Sequence, residues 1–183
     1  MNPTRYLKNE HNTIKRILSM LLRICNRLEP EKHIDEEHLR RIVDFIGAFA
    51  DAYQHENEED LLFPLLEESG FRRNWGALAE IASEHEEVRR SLGHLCKAVC
   101  DYRKGEKNAP ERILTRAREY IPFLMAHIQK EDMGLIHAAD GLPDEIQNKL
   151  MKNFERDRGP DNGFKRQKNL KRLLYRCERI YAG

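Results

Sequence analysis

At 183 residues with a formal net charge of +1, the chain has room for one domain with an appendage, and no global field directs it to nucleic acid or a membrane. Charged residues make up 34% and hydrophobic residues 40%, with few Gly and Pro, a mix that suits an all-α protein. No apolar run approaches the roughly 20 residues of a membrane span, residues 1–5 carry no apolar signal region, and Cys25, Cys96, Cys100 and Cys177 form no Cys-x-x-Cys, so buried, reduced thiols in a cytoplasmic protein are expected.

The first helix is predicted from Asn2-Pro3-Thr4, where Asn is a good N-cap and Pro is favoured in the first turn. Leu7, His11, Ile14, Leu18, Leu21, Leu22 and Cys25 recur at helical spacing, and the run closes near Leu28-Glu29-Pro30. A second helix is predicted from Asp35 to Leu66, with Leu39, Ile42, Phe45, Ile46, Phe49, Ala52, His55, Glu59 and Leu62 facing inward. Pro64 kinks or ends it, and Gly70 supplies the break. A third covers Asn74 to Arg103 on Leu78, Ile81, His85, Val88, Leu92, Leu95 and Val99. Cys96 and Cys100 share one of its faces, as small hydrophobes or, alternatively, as a redox pair. After a turn-rich connection at 104–110, a fourth helix runs from Pro110 to His137 and presents Ile113, Ala117, Tyr120, Leu124, His127 and Glu131, with Pro122 expected to bend it. A shorter helix comes next, near Pro143 to Phe154, then a loop at 158–163.

The last segment, Phe164 to Tyr181, carries Leu170, Leu173, Leu174, Cys177 and Tyr181 on one side and bases on the other. From Asp161 onward seven Lys/Arg stand against two acids, a balance of +5, which leaves −4 for the first 160 residues. This basic amphipathic helix is expected to pack on the rest with its charges in water; a role in binding a protein partner is the other reading. Nucleic acid has neither aromatic interleaving nor a DNA-reading motif to support it.

Short loops imply an up-down-up-down four-helix bundle over residues 1–140, with an additional C-terminal helical segment at 141–183. Within the bundle one pattern occurs twice. His55-x3-Glu59 and His127-x3-Glu131 each place an imidazole and a carboxylate on one helix face. Upstream of them stand Glu10-His11 and Glu84-His85, each followed by an aliphatic, two bases and a Leu, and the offsets between matching residues are 74, 72 and 72. His11 lies about 17 residues before the end of its helix and His55 about 19 into the next, roughly 26 and 28 Å along the two axes, so they are level. His85 and His127 are level by the same count. His33, His38, His94 and His137 fall at other heights and read as non-ligands.

Buried charges are costly unless paired or metal-bound, so six such groups in one layer ask for cations; a network of salt bridges and hydrogen bonds is the alternative. Four imidazoles and two carboxylates exceed one tetrahedral zinc. They suit two metals roughly 3.5–4 Å apart that share carboxylates, and nitrogen/oxygen ligation without thiolate favours iron or manganese. Positions left open would take water or a small diatomic molecule.

Together, Glu10-His11, His55-x3-Glu59 followed by Leu61-Leu62-Phe63-Pro64, Glu84-His85 with Arg89, and His127-x3-Glu131 resemble the hemerythrin-like (HHE cation-binding) domains over about residues 4–138. The resemblance implies a four-helix bundle around two non-haem iron ions. His11, His55, His85 and His127 would be terminal ligands, with Glu59 and Glu131 as bridges. The chain departs from the oxygen carriers, whose third helix offers two histidines four apart. Here the positions four from His85 are Ile81 and Arg89, and Glu131 stands for a more widely spaced Asp, which argues against reversible oxygen storage. The ligand set is similar to that of iron-centre repair proteins and of the iron-sensing hemerythrin domain of a ubiquitin-ligase subunit. In the latter a Glu beside the second-helix His also ligates, and Glu56 holds that place here.

In function, the resemblance implies a di-iron protein that senses or binds dioxygen, nitric oxide, peroxide or iron itself; a di-iron peroxidase or oxidase and an iron-centre repair protein are the alternatives. The expected partners are a small diatomic ligand or peroxide and, through the basic C-terminal helix, a protein. Glu10, Glu58 and Glu84 are candidates to hold the second nitrogen of a ligating His, and Tyr6, Tyr53 and Tyr120 to lie near the site.

Overall fold

The computed structural model describes residues 2–28, 34–72, 76–158 and 162–181, without the side chains of 51–53, 77, 157, 158, 162–168, 170 and 171. The expectations for Pro30, His33, Ala52, Tyr53, Asn74, Leu170 and the centre of the 158–163 loop lie outside the described residues.

Helix α1 spans Pro3–Cys25 and is capped as its sequence predicts: the Asn2 side-chain oxygen accepts from the Thr4 amide at 2.8 Å, and Pro3 occupies the first turn. The second rod is one long run of changing pitch. It begins as α2, Glu36–Ile46, capped by Asp35, whose carboxylate accepts from the amides of Glu37 and His38 at 2.9 and 3.3 Å. It widens into two π segments, π1 at Gly47–His55 and π2 at Glu58–Leu62, and returns to an α-helix as α3, Phe63–Glu68. Pro64 sits in the first turn of α3, where its missing N–H is tolerated, and Gly70 at φ 97° turns the chain out. The third rod, α4, is Ala77–Arg103. The fourth is α5, Ala109–Lys130, which runs through Pro122 without a break, then π3, Glu131–Leu135, and α6, Ile136–Asp140. The chain ends with α7, Asp144–Arg158, and α8, Asn162–Tyr181. No strand occurs among the described residues.

The four rods close a square: α1 touches α2 and α5, and α4 touches α2 and α5. Their apolar residues do not form one core but two. The larger cluster takes Ile14–Cys25 from α1, Leu39–Ala50 from the second rod, Val88–Val99 from α4 and Ile113–Ile128 from α5. The smaller takes Tyr6 and Leu7, Leu62–Leu66, Leu78 and Ile81, and Leu135–Ala139. Along each rod the crossover between clusters falls at His11, at Gln54–Glu58, at His85 and at His127–Glu131. A polar layer therefore crosses the whole bundle at one height, and the order in which the rods traverse it alternates as an up-down-up-down bundle requires.

The extension belongs to both ends of this body. Helix α7 closes the smaller cluster with Leu150, Met151 and Phe154, the last stacked on Tyr6 with ring centroids 5.1 Å apart. Helix α8 packs along α1 and α2 and buries Leu174, Cys177 and Tyr181 in the larger cluster, while Arg172, Arg176 and Arg179 stay exposed. All four cysteines are free thiols; Cys25 and Cys177 are buried as expected, but Cys100 is exposed. Among the described residues no helix is long and apolar enough to cross a membrane.

Candidate metal centre

Nearly every side chain of the polar layer is sealed from solvent: His11, Gln54, His55, Glu58, His85 and Glu131 are 0% exposed, and His127 is 1%. Two sets of donor atoms converge there. His55, His85, His127 and Glu131 offer atoms within 4.8 Å of one another, and so do His11, Glu58 and Glu131. The two carboxylates span the sets. Glu131 Oε1 lies 3.2 Å from His85 Nε2 and 2.8 Å from His127 Nε2, while its Oε2 lies 3.2 Å from His11 Nε2. Glu58 Oε2 faces His85 Nε2 at 3.5 Å, and its Oε1 faces His11 Nε2 at 3.8 Å. The layer thus has one pole of three imidazoles and another of one, joined by two carboxylates.

Around this lies a second ring of carboxylates, each taking the outward nitrogen of a histidine. His11 Nδ1 donates to Asp132 at 2.7 Å, His85 Nδ1 to Glu59 at 2.6 Å, and His127 Nδ1 to Glu84 at 2.8 Å. Each of these acids in turn meets a cation at the rim: Lys15 on Asp132 at 3.0 Å, Arg89 on Glu59 at 2.9 Å, and Lys130 on Glu84. The internal repeat is visible in this arrangement. An inward acid is followed by an outward one at Glu58-Glu59 and at Glu131-Asp132, and the rim cation stands four residues after the histidine at both His11 and His85. Fixing Nδ1 as a donor leaves Nε2 of each ring as the atom that can bind a metal.

The charges in the layer are interlocked. Burial alone lowers the His11 pKa, but Asp132, Glu131 and Glu58 raise it well above the ordinary value. Burial likewise opposes the charge on His85, and Glu131, Glu58 and Glu59 together push it up to about 11. Burial raises the Glu131 pKa, yet His11, His127 and His85 hold it well below the usual carboxylate range. Even so, Glu58 Oε2, Glu131 Oε2 and His127 Nε2, though buried, make no well-aligned hydrogen bond and only approach one another's neighbours across the layer. Buried polar atoms normally find one. These are the atoms aimed into the space between the poles, and their chemistry, imidazole nitrogen and carboxylate oxygen, fits cations there.

Five of the six ligands expected from the sequence meet in this layer: His11, His55, His85, His127 and Glu131. The sixth, Glu59, does not. Its side chain is 25% exposed and is held outside by His85 Nδ1 and Arg89, and Glu58 takes the inward place. Residues three and four after His55 share its helix face, and the wider turns of π1 and π2 change which of them points inward. Glu56 is exposed and faces away from the layer. His38 lies against Tyr181 far from the layer, and His94 and His137 are exposed, as non-ligands. Tyr6 and Tyr120 belong to the two apolar clusters. Sequence reasoning missed Gln54, fully buried with Nε2 2.6 Å from His11 Nε2 and 2.9 Å from Glu58 Oε1. Its one signal was a position four residues before Glu58 on the same helix face.

This exchange of neighbouring acids is testable. Glu58→Ala is expected to lower the bound metal below the wild-type content, because an inward carboxylate is lost. Glu59→Ala is expected to keep the wild-type metal content at about 10–100-fold lower affinity, the usual cost of removing a group that orients a ligand. Elemental analysis and competition with a chelator measure the two, and the opposite ranking would return the inward place to Glu59.

A family model described as hemerythrin HHE cation binding domain matches residues 2–139. No curated protein and no solved structure matches the chain.

Proposed function

This chain belongs to the hemerythrin HHE cation-binding domain family, and from that premise we propose that it is a non-haem di-iron protein that binds a small molecule, dioxygen, nitric oxide or peroxide, as a sensor. One observation carries the reading: two buried donor sets joined by two carboxylates but unequal in imidazoles, three against one. Iron, when bound, supplies the coordination positions at which such a molecule attaches. His55, His85 and His127 with both carboxylates would offer five donors at one pole and the His11 pole three, so the small molecule is expected at the His11 pole. Glu58 and Glu131 would hold two cations between the poles, and Asp132, Glu59 and Glu84 fix three of the imidazoles so that Nε2 points inward. The apolar clusters above and below exclude bulk water and with it larger ligands. Arg172, Arg176 and Arg179 of α8 are exposed and would offer the surface for a protein partner.

Anaerobic loading with ferrous iron and subsequent titration with nitric oxide tests this. About one nitric oxide per pair of irons, read by visible absorption, is the expected result, with the band lost in His11→Ala. Failure of the wild-type chain to bind any of the three molecules would overturn the sensor reading. Catalytic consumption of peroxide would replace it with a peroxidase.

A further inference from the structure

The His11 pole is poor in donors. It has one imidazole nitrogen and one oxygen from each bridging acid, against three imidazoles at the other pole. Yet a fourth polar side chain reaches it. Gln54 is fully buried, its Nε2 lies 2.6 Å from His11 Nε2 and 2.9 Å from Glu58 Oε1, and its Oε1 has no hydrogen-bond partner. His11 Nδ1 is already committed to Asp132 at 2.7 Å, so Nε2 is the only atom of this ring left for a metal. The Gln54 amide group stands directly beside that nitrogen. With a cation on His11 Nε2, an amide nitrogen at this distance would turn its hydrogens toward the positive charge, so the oxygen is the end of the group that suits the place. Turning the amide over exchanges its nitrogen and oxygen without moving the helix. The oxygen then occupies the place beside His11 Nε2, close to the roughly 3 Å expected between neighbouring donors around an ion about 2.1 Å from each.

We propose that Gln54 is a ligand of the second cation, giving its side-chain carbonyl oxygen as a neutral donor beside His11. This rests on the two-cation reading above. A neutral oxygen adds a donor without adding charge, which leaves the His11 pole more electropositive than a third carboxylate would. That pole is thereby suited to hold an anion or a polarisable small molecule.

The test is calorimetric titration of the metal-free full-length chain with manganese(II) alone, on wild type, Gln54→Leu and Gln54→Glu. The expected result is two equivalents for wild type. In Gln54→Leu the first is unchanged and the second weakened by about 10–100-fold. Gln54→Glu, which keeps an oxygen at the same place, should bind the second at least as tightly as wild type. Circular dichroism checks that the metal-free variants keep their helices. Wild-type binding of both equivalents by Gln54→Leu, or tighter binding on removal of the amide, overturns the ligand role and leaves the two-cation reading intact. Fewer than two equivalents on the wild-type chain overturns both.

Discussion

Glu131→Ala is expected to strip the protein of both metal equivalents. Of the two carboxylates that span the donor sets, Glu131 stands closer to both poles: it is 0% exposed and sets one oxygen toward His85 and His127 and the other toward His11 at 2.8–3.2 Å, against 3.5 and 3.8 Å for Glu58. Loss of an outer group that merely orients a ligand costs about 10–100-fold in affinity; loss of a shared ligand removes a donor from both cations at once. The metal-free protein suffers too. Removing one partner of a buried charge pair typically costs about 3–5 kcal/mol, because the opposite charge is left uncompensated. Here three imidazoles depend on Glu131 for their charge. Glu131→Gln separates the two effects: it fills the same volume and preserves the packing, but carries no negative charge to bridge cations. Elemental analysis of both variants, with circular dichroism to confirm helicity, measures the outcome. A Glu131→Gln protein that purifies with about two metals per chain would show that the bridge lies elsewhere.

The height of the centre is legible in the sequence and its azimuth is not. Counting residues from each loop places His11, His55, His85 and His127 at one level, because the rise of a helix is fixed at about 1.5 Å per residue and short loops force antiparallel neighbours. The same counting cannot say how far each ring is rotated about its axis. The structure gathers three imidazoles at one pole and leaves one at the other, where the repeat suggests an even pairing. Glu59 reads as inward because four residues from His55 is a helical neighbour, but so is three. The two π segments flanking this stretch, which no residue pattern announces, decide for Glu58. Arg89 then gives Glu59 a partner at the rim, so the outward choice leaves no charge unpaired. Gln54 is hidden for a different reason: it does not titrate, and a search for ionisable groups passes over an amide. At the far end, the apolar stripe Leu174–Cys177–Tyr181 predicts that α8 packs on the bundle, and it does.

Removing the metals from the wild-type chain is expected to lower the melting temperature by roughly 8–16 °C without unfolding the protein. Two cations, each present at roughly 30 times its dissociation constant, together stabilise the state that binds them by about 4 kcal/mol. For a chain of this size each kcal/mol moves the midpoint by roughly 2–4 °C. The fold should survive because the metal-free layer is not bare. Asp132, Glu59 and Glu84 each neutralise a histidine from outside and are themselves met by Lys15, Arg89 and Lys130, so the buried charges remain largely balanced. The two apolar clusters lie on either side of the layer and need no metal to pack. Most of the loss should therefore fall on the layer itself. Amide exchange after chelation is expected to quicken around residues 47–55, 58–62 and 131–135, where π turns already replace the regular ladder, and to change least in the stretches of α1 and α4 within the larger cluster. Uniform quickening along all four rods would mean that the cations hold the whole bundle together, and that the outer ring of acids and bases adds little of its own.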